Sequence, residues 1–239
     1  MRILLLADIH ANWQALQAIT EPHDVCLFLG DLVEYGVEAA PCIDWVRRKA
    51  THAVRGNHDH GLVQNVLVPA RGGFRYLTSV TRALTRELLS DEDMRFLSRL
   101  PASLTVTLDD TRFLLVHATP RDPLDEYAPP DVEFWKRRLQ DMDADVICVG
   151  HTHQPYVLEI GEKLVINPGS VGQPRDGDPR ASYAVIEDFT VELKRIEYPI
   201  EETTAVIHAS SLPTEAKEML SSVFRTGYGP LRAAAVETG

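Results

Sequence analysis

Residues 3–12 read "ILLLADIHAN": four aliphatic residues running into Asp8 and, two positions on, His10. An unbroken aliphatic run suits a strand in a sheet covered on both faces. Residues 12–19, "NWQALQAI", follow with helical spacing, and Asn12 stands where a cap belongs. "DVCLFLGD" (24–31) repeats the buried-strand pattern, residues 40–50 read as a helix, and "HAVRGN" (52–57) as a third, shorter strand. This β-α-β-α-β order predicts an α/β fold with a parallel sheet and ligand chemistry at the strands' C-terminal ends. Asp8 and His10 are then either a strand's exit to water or groups held rigidly at a metal, and the other strand ends have to decide.

Beyond residue 60 the pattern changes. A flexible "ARGG" turn leads into a helix, and a second helix starts near Asp91, so residues 61–100 read as a helical cap or insertion in a single domain spanning 1–239. "LTVTL" and "RFLLVHA", parted by "DDT", form a hairpin signal. A helix over 131–141 precedes the strand "DVICVGHTH" (145–153), and "YVLEI"/"KLVIN" and "SYAVIE"/"TVELKRIEY" predict two more hairpins. The tail reads as two helices over about 201–225.

With 44% apolar and 25% charged residues, the 239-residue chain has the composition of a globular protein with a substantial core. Its formal net charge of −11 repels phosphate backbones and anionic lipid, so neither a nucleic-acid surface nor a membrane partner is expected. An anionic substrate would need local positive charge, which a metal can supply. Cys26, Cys42 and Cys148 form no C-x-x-C pattern and read as small buried hydrophobes. Only Met1 and Arg2 precede the first strand, and no apolar run is long enough to span a bilayer, so a cytoplasmic location is expected.

The polar residues at the strand ends form an ordered set. Asp8 and His10 follow the first strand, Asp31 the second, Asn57 and His58 the third; His117 ends "FLLVH", and His151 and His153 end "ICVGHTH". In an extended chain residues i and i+2 point the same way, so Asp8/His10 and His151/His153 can each grip as a pair. Any one of these alone is a commonplace surface or core residue. Together, each behind an apolar strand, they predict a dinuclear metal site. Mixed oxygen and nitrogen ligation suits Mn, Fe, Zn, Co or Ni better than Mg or Ca.

The set D-x-H, G-D, G-N-H-D, H and G-H-x-H resembles the motifs of the calcineurin-like metallophosphoesterases, over most of the chain from Asp8 to beyond "NPGSVGQPRDG" (167–177). "DIHAN" and "VHATPRDP" are similar to the small bacterial and archaeal, YfcE-like phosphoesterases. The resemblance implies a two-layer mixed β-sandwich flanked by helices, with two transition-metal ions at one edge, Mn foremost. One metal would take Asp8, His10 and His153, the other Asn57, His117 and His151, with Asp31 bridging. A hydroxide between the cations would attack phosphorus. His58 would protonate the leaving oxygen, and Asp59 would orient His58 or simply begin a helix. Asn12 is a helix cap or a substrate contact. Arg55 and Arg175, with Arg71, Arg75 and Arg121, are candidates for gripping phosphate.

The reaction expected is hydrolysis of a small phosphate ester, first a phosphodiester. A monoester (including phosphoprotein) or a dinucleoside polyphosphate is the alternative. A non-catalytic scaffold of the same fold tolerates a missing ligand, and none is missing here. A metallo-β-lactamase-type site would need H-x-H-x-D-H, which the chain lacks.

Overall fold

The computed structural model describes residues 1–188 and 190–229. The chain opens with β1 (Arg2–Leu6), α1 (Trp13–Ala18), β2 (Val25–Phe28), α2 (Ala39–Lys49) and β3 (His52–Ala53). Three helices follow, α3 (Asn57–Val63), α4 (Gly73–Leu88) and α5 (Asp91–Arg99). Then come β4 (Ser103–Leu108), β5 (Thr111–Val116), α6 (Val132–Arg138) and β6 (Val146–Cys148). The remainder is β7 (Pro155–Ile160), β8 (Lys163–Pro168), β9 (Ala181–Glu187), β10 (Thr190–Ile196), α7 (Ile200–Ala209) and α8 (Thr214–Thr226).

The strands make two five-stranded mixed sheets, ordered β10-β9-β1-β2-β3 and β4-β5-β6-β8-β7. In the first, β1, β2 and β3 are parallel, and β9 runs antiparallel beside β1 with Leu4 opposite Val185. In the second, β5, β6 and β8 are parallel, with β4 and β7 as antiparallel edges. Strand alternation explains the layering. Ile3, Leu5 and Ala7 pack between the sheets with Phe113, Leu115, Cys148 and Ile166. Leu4 and Leu6 point the other way, onto Leu16, Ile43 and Val46 of α1 and α2. Trp135 of α6 covers the outer face of the second sheet at Leu114, Val116 and Ile147. The aliphatic run of β1 is therefore buried on both faces, as its composition requires. A further apolar cluster joins Leu77 of α4 to Ile207, Leu220 and Phe224 of α7 and α8, over Tyr35. All three cysteines are free and buried, and among the described residues no helix is long and apolar enough to cross a membrane.

Four strands end sooner than their sequence suggests: β1 at Leu6, β2 at Phe28, β3 at Ala53 and β6 at Cys148. After β1, β2 and β6 the reason is backbone conformation. Asp8 (φ 54°), His10 (47°), Asp31 (61°), His151 (66°) and His153 (59°) all occupy the left-handed region, which ends a strand and which Asp, Asn and His tolerate better than most residues. The extended i, i+2 geometry expected for Asp8/His10 and His151/His153 is thus corrected. These side chains are aimed by left-handed kinks after the strands, not by the strands' pleat.

Candidate metal centre

Each kink is fastened to its neighbours. The Asp8 amide donates to Gly30 O (2.9 Å), the His10 amide to Asp31 O (3.1 Å) and the Gly150 amide to His117 O (2.8 Å). Gly56 lies so close to Asp31 that a Cβ there would stand 2.0 Å from Asp31 Oδ1. The segments after β1, β2 and β3 are thereby locked to one another, as are those after β5 and β6, and the His151 amide on Asp8 Oδ2 (3.1 Å) joins the two sets at one edge.

Two groups of side chains result, sharing one member. Asp8, His10, Asp31 and His153 offer atoms all within 4.8 Å of one another, as do Asp31, His117 and His151. His153 Nε2 lies 3.3 Å from Asp8 Oδ1, and His117 Nε2 lies 3.2 Å from Asp31 Oδ2. Asn57 joins the second group, its Oδ1 3.1 Å from His117 Nε2.

Chemically the set is half satisfied. Asp31 Oδ1 accepts the His58 amide (2.9 Å) and Asp8 Oδ2 the His151 amide (3.1 Å), while Asp31 Oδ2 and Asp8 Oδ1 are buried without a hydrogen-bond partner. The imidazoles repeat the pattern. Nδ1 of His10, His117 and His153 faces the carbonyl oxygens of Val33, Leu29 and Gln173, leaving each Nε2 turned inward. His10 Nε2 and His153 Nε2 face each other at 3.1 Å. Orphaned carboxylate oxygens beside inward imidazole nitrogens are what a divalent cation would satisfy, and oriented Nδ1 groups are the usual support of histidine ligands. The residues present fit a pair of cations.

Electrostatics point the same way. Burial pushes His10 and His153 well below the ordinary imidazole value and His151 down to about 4, so these three rings are neutral and keep a lone pair for a cation. Burial would raise Asp31, but His117 and His58 beside it hold its carboxyl well below the usual range. Burial lowers His117 too, and the adjacent Asp31 carboxylate outweighs that, lifting it to about 9.

The remaining predicted site residues divide. His58 sits in the first turn of α3 with Nε2 3.9 Å from Asp31 Oδ2, at the rim of both groups. Its orienting carboxylate is not Asp59. That side chain turns back and accepts from the amides of Asp31 (2.9 Å), Leu32 (2.9 Å) and Gly56 (3.0 Å), so it braces the turn that carries Asp31. Glu34 takes the expected place, with Oε2 2.6 Å from His58 Nδ1. Asn12 caps α1 and ties it to the chain around it. It is fully buried, its Oδ1 accepts the Ala15 amide and its Nδ2 donates to Gly172 O and Tyr198 Oη. Arg55 is half-buried with Nε unpartnered, outside the cavity beside His58. Arg175 donates to Gln173 Oε1 (2.9 Å), lies 3.9 Å over the Phe74 ring, and contributes to lowering His153, so it stands on the His153 side.

Sequence reasoning missed Glu34, Tyr35 and Arg82. Glu34 carried one signal, an acid three residues after Asp31 in "GDLVEYG"; Arg82 carried none, being one of several arginines on an amphipathic helix. Beside His58 opens a cavity of about 540 Å³ between α3, α4 and the 122–125 loop. Phe74, Leu67, Arg75, Asp122 and Asp125 line its walls.

Comparison with known proteins shows the family and the fold. The calcineurin-like phosphoesterase superfamily domain matches residues 1–189. An uncharacterised protein of Methanocaldococcus jannaschii is 31% identical over 248 residues, covering 91% of this chain and 96% of its own length. Phosphodiesterase YfcE of Escherichia coli is 46% identical over a short stretch of 44 residues, 18% of this chain and 23% of that one. The crystal structure of a metallophosphoesterase from Sphaerobacter thermophilus superposes with a TM-score of 0.79 at 31% identity, over 95% of this chain and 99% of that one. The matched residues hold Asp8, His10, Asp31, Asn57, His117, His151 and His153, and the chain belongs to the calcineurin-like phosphoesterase superfamily.

Proposed function

We propose that the protein hydrolyses a small phosphodiester with two divalent transition-metal ions, Mn²⁺ preferred and Fe, Zn, Co or Ni able to substitute. The observation that carries this reading is the pair of side-chain groups sharing Asp31, each with a buried carboxylate oxygen lacking a partner. Asp8, His10 and His153 would hold one cation, Asn57, His117 and His151 the other, and Asp31 would bridge them. When bound, the cations would supply a nucleophile at neutral pH and neutralise charge on the phosphoryl oxygens.

The protein's own groups do the rest. Burial pulls His58 down, but Tyr35, Asp31 and Glu34 outweigh it and raise the imidazole to about 10, so it rests protonated. With Nδ1 committed to Glu34, its Nε2–H is the proton available to a leaving oxygen. Arg175, on the His153 side, would hold a phosphoryl oxygen. The 61–100 segment, capped by the C-terminal helices, supplies the leaving-group wall through Phe74 and Arg75. Asp122 and Asp125 on the opposite wall repel a dianion more than a monoanion, which favours a diester over a monoester. The name of YfcE, a phosphodiesterase, supports the same choice.

The test is a comparison of bis-p-nitrophenyl phosphate with p-nitrophenyl phosphate, with Mn²⁺ and after chelation. Chelator-sensitive turnover with a higher kcat/KM for the diester is expected. A preference for the monoester would move the assignment to a phosphatase, and turnover surviving full metal removal would overturn the metal mechanism.

A further inference from the structure

Helix α4 is tied to the loop after β2 at three points, more than a cap over a cavity needs. Thr81 Oγ1 accepts the Tyr35 amide (3.1 Å), and Thr78 Oγ1 donates to Tyr35 Oη (3.1 Å). Arg82 Nε and Nη2 donate to the two oxygens of Glu34, at 2.5 Å and 3.2 Å. Glu34, wholly buried, also accepts from His58 Nδ1 at its Oε2. The chain of contacts thus runs Arg82–Glu34–His58, from the helical segment into the catalytic edge.

The guanidinium itself is seated in a made-to-measure place. Its Nη1 donates to Val66 O (2.7 Å), and it lies flat against Gly61 of α3, where a Cβ would stand 2.5 Å from Nη2 and 2.7 Å from Cζ. Arg82 is 8% exposed, so little of this pairing is lost to solvent. Glu34 (φ 69°) and Tyr35 (φ 59°) are both left-handed, a turn that would relax without support. A buried carboxylate with two oxygens and no cation would be free to rotate away from the imidazole; the bidentate guanidinium fixes both oxygens in one plane.

We propose that Arg82 is a positioning residue for His58, acting through Glu34, so that the helical segment after α3 is a working part of the site rather than only its lid. The kinetic part of this inference rests on the reading of His58 as the proton donor; the positioning itself does not. Arg82 touches no reacting atom in this scheme. It sets the direction of the His58 ring.

Two readouts separate the inference from the reading beneath it. The first is the downfield proton resonance of the His58 Nδ1–H in the full-length protein, metal-free and loaded with Zn²⁺, identified by its loss in His58→Ala. It should shift or broaden in Arg82→Ala, and to a lesser degree in Arg82→Lys, which keeps the charge but not the two-pronged grip. The second is leaving-group dependence in the Mn²⁺-loaded enzyme. For a phenyl ester, Arg82→Ala should lose kcat by on the order of 10- to 100-fold with KM little changed; a dinitrophenyl ester, which needs no acid, should lose far less. Added guanidinium ion should restore part of the loss. Should Arg82→Ala fail to fold, Gly61→Ala displaces the guanidinium while improving helix propensity, and should show the same two effects. An unmoved resonance, or an equal loss with both esters and no guanidinium rescue, would overturn the inference. If the resonance moves while His58→Ala itself treats both esters alike, the positioning stands and the proton-donor reading falls.

Discussion

Asp31 carries more than any other residue of the site, because both ligand groups include it. Replacing it with Asn keeps shape and the hydrogen bond from the His58 amide but removes the charge that two cations would share. Asp31→Asn should abolish turnover and weaken binding of both metals, read by metal content after dialysis; two metals retained at full activity would refute the bridging role. His58 is the contrasting case. Its imidazole faces the rim with Nδ1 on Glu34, and it belongs to neither group of ligand atoms. His58→Ala should lower kcat about 10²–10⁴-fold, the usual range for a general acid, with metal content near that of the parent. Loss of metal instead would make His58 a ligand. The two carboxylates near this histidine show where residue-level reading stops. Asp59 is adjacent in sequence, yet helix geometry turns it towards the backbone amides of Gly56, Asp31 and Leu32. Glu34 reaches the imidazole only because the chain takes two successive left-handed residues, which no pattern of residue types announces.

Among the elements, the sharp bends after the strands do the positioning, and glycine makes them possible. At Gly56 the constraint is contact rather than dihedral angle: an added Cβ meets Asp31 Oδ1 at 2.0 Å and the Asp31 amide nitrogen at 2.6 Å, and backbone cannot yield as a side chain can. Gly56→Ala should push the Asp31 turn outward, costing about 1–3 kcal/mol of stability by overpacking and a larger share of metal affinity and activity. Calorimetry beside metal titration would tell these apart; unaltered metal affinity would mean the turn absorbs the methyl. The same bends mark what was legible. Apolar runs disclosed β1, β2, β5 and β6, because burial on both faces demands them, and the ligand types at their ends followed. The runs overshot their strands by two to five residues, since Asp8, Asp31, His151 and their neighbours leave the sheet through left-handed conformations that hydrophobicity does not encode. Helix α3 is legible only as a start at Asp59, for a related reason. It begins on the ligand Asn57, where polar chemistry masks helical periodicity. That α4 would join α7 and α8 in one apolar cluster over Tyr35 depends on contacts more than a hundred residues apart, beyond any local signal.

For the whole molecule, the relevant fact is that the site straddles both sheets, Asp8, His10, Asp31 and Asn57 following strands of the first and His117, His151 and His153 strands of the second. Outside the site, some stability comes from paired carboxylates such as Glu126, which takes hydrogen bonds from Arg138 (2.9 Å) and Thr119 and holds the loop after His117 to α6. The Arg138 hydrogen bond, against the opposing effect of burial, lowers Glu126 from 4.5 to about 2. A depressed carboxyl value means that its contribution is fully present above the unfolded value and is lost as pH falls through the folded one. Glu126→Gln should therefore lower Tm at pH 7, with the difference closing between about pH 4.5 and pH 2; a constant difference across that range would show that the charge is not what matters. At the site itself the balance is reversed, since two buried acids stand together and Asp8 is raised, by burial first and partly by Asp31. Cations that bind only the folded chain would relieve that repulsion and would clamp one sheet to the other. With free Mn²⁺ at about 100 times its Kd, one site adds about 2.7 kcal/mol, which for a chain of this size corresponds to a rise in Tm of about 5–10 °C. Chelation should reverse the rise, and Asp31→Asn should abolish most of it, because both cations would lose the charge of the carboxylate they share. A Tm indifferent to Mn²⁺ in the parent protein would mean that the orphaned oxygens of Asp8 and Asp31 are not waiting for a metal.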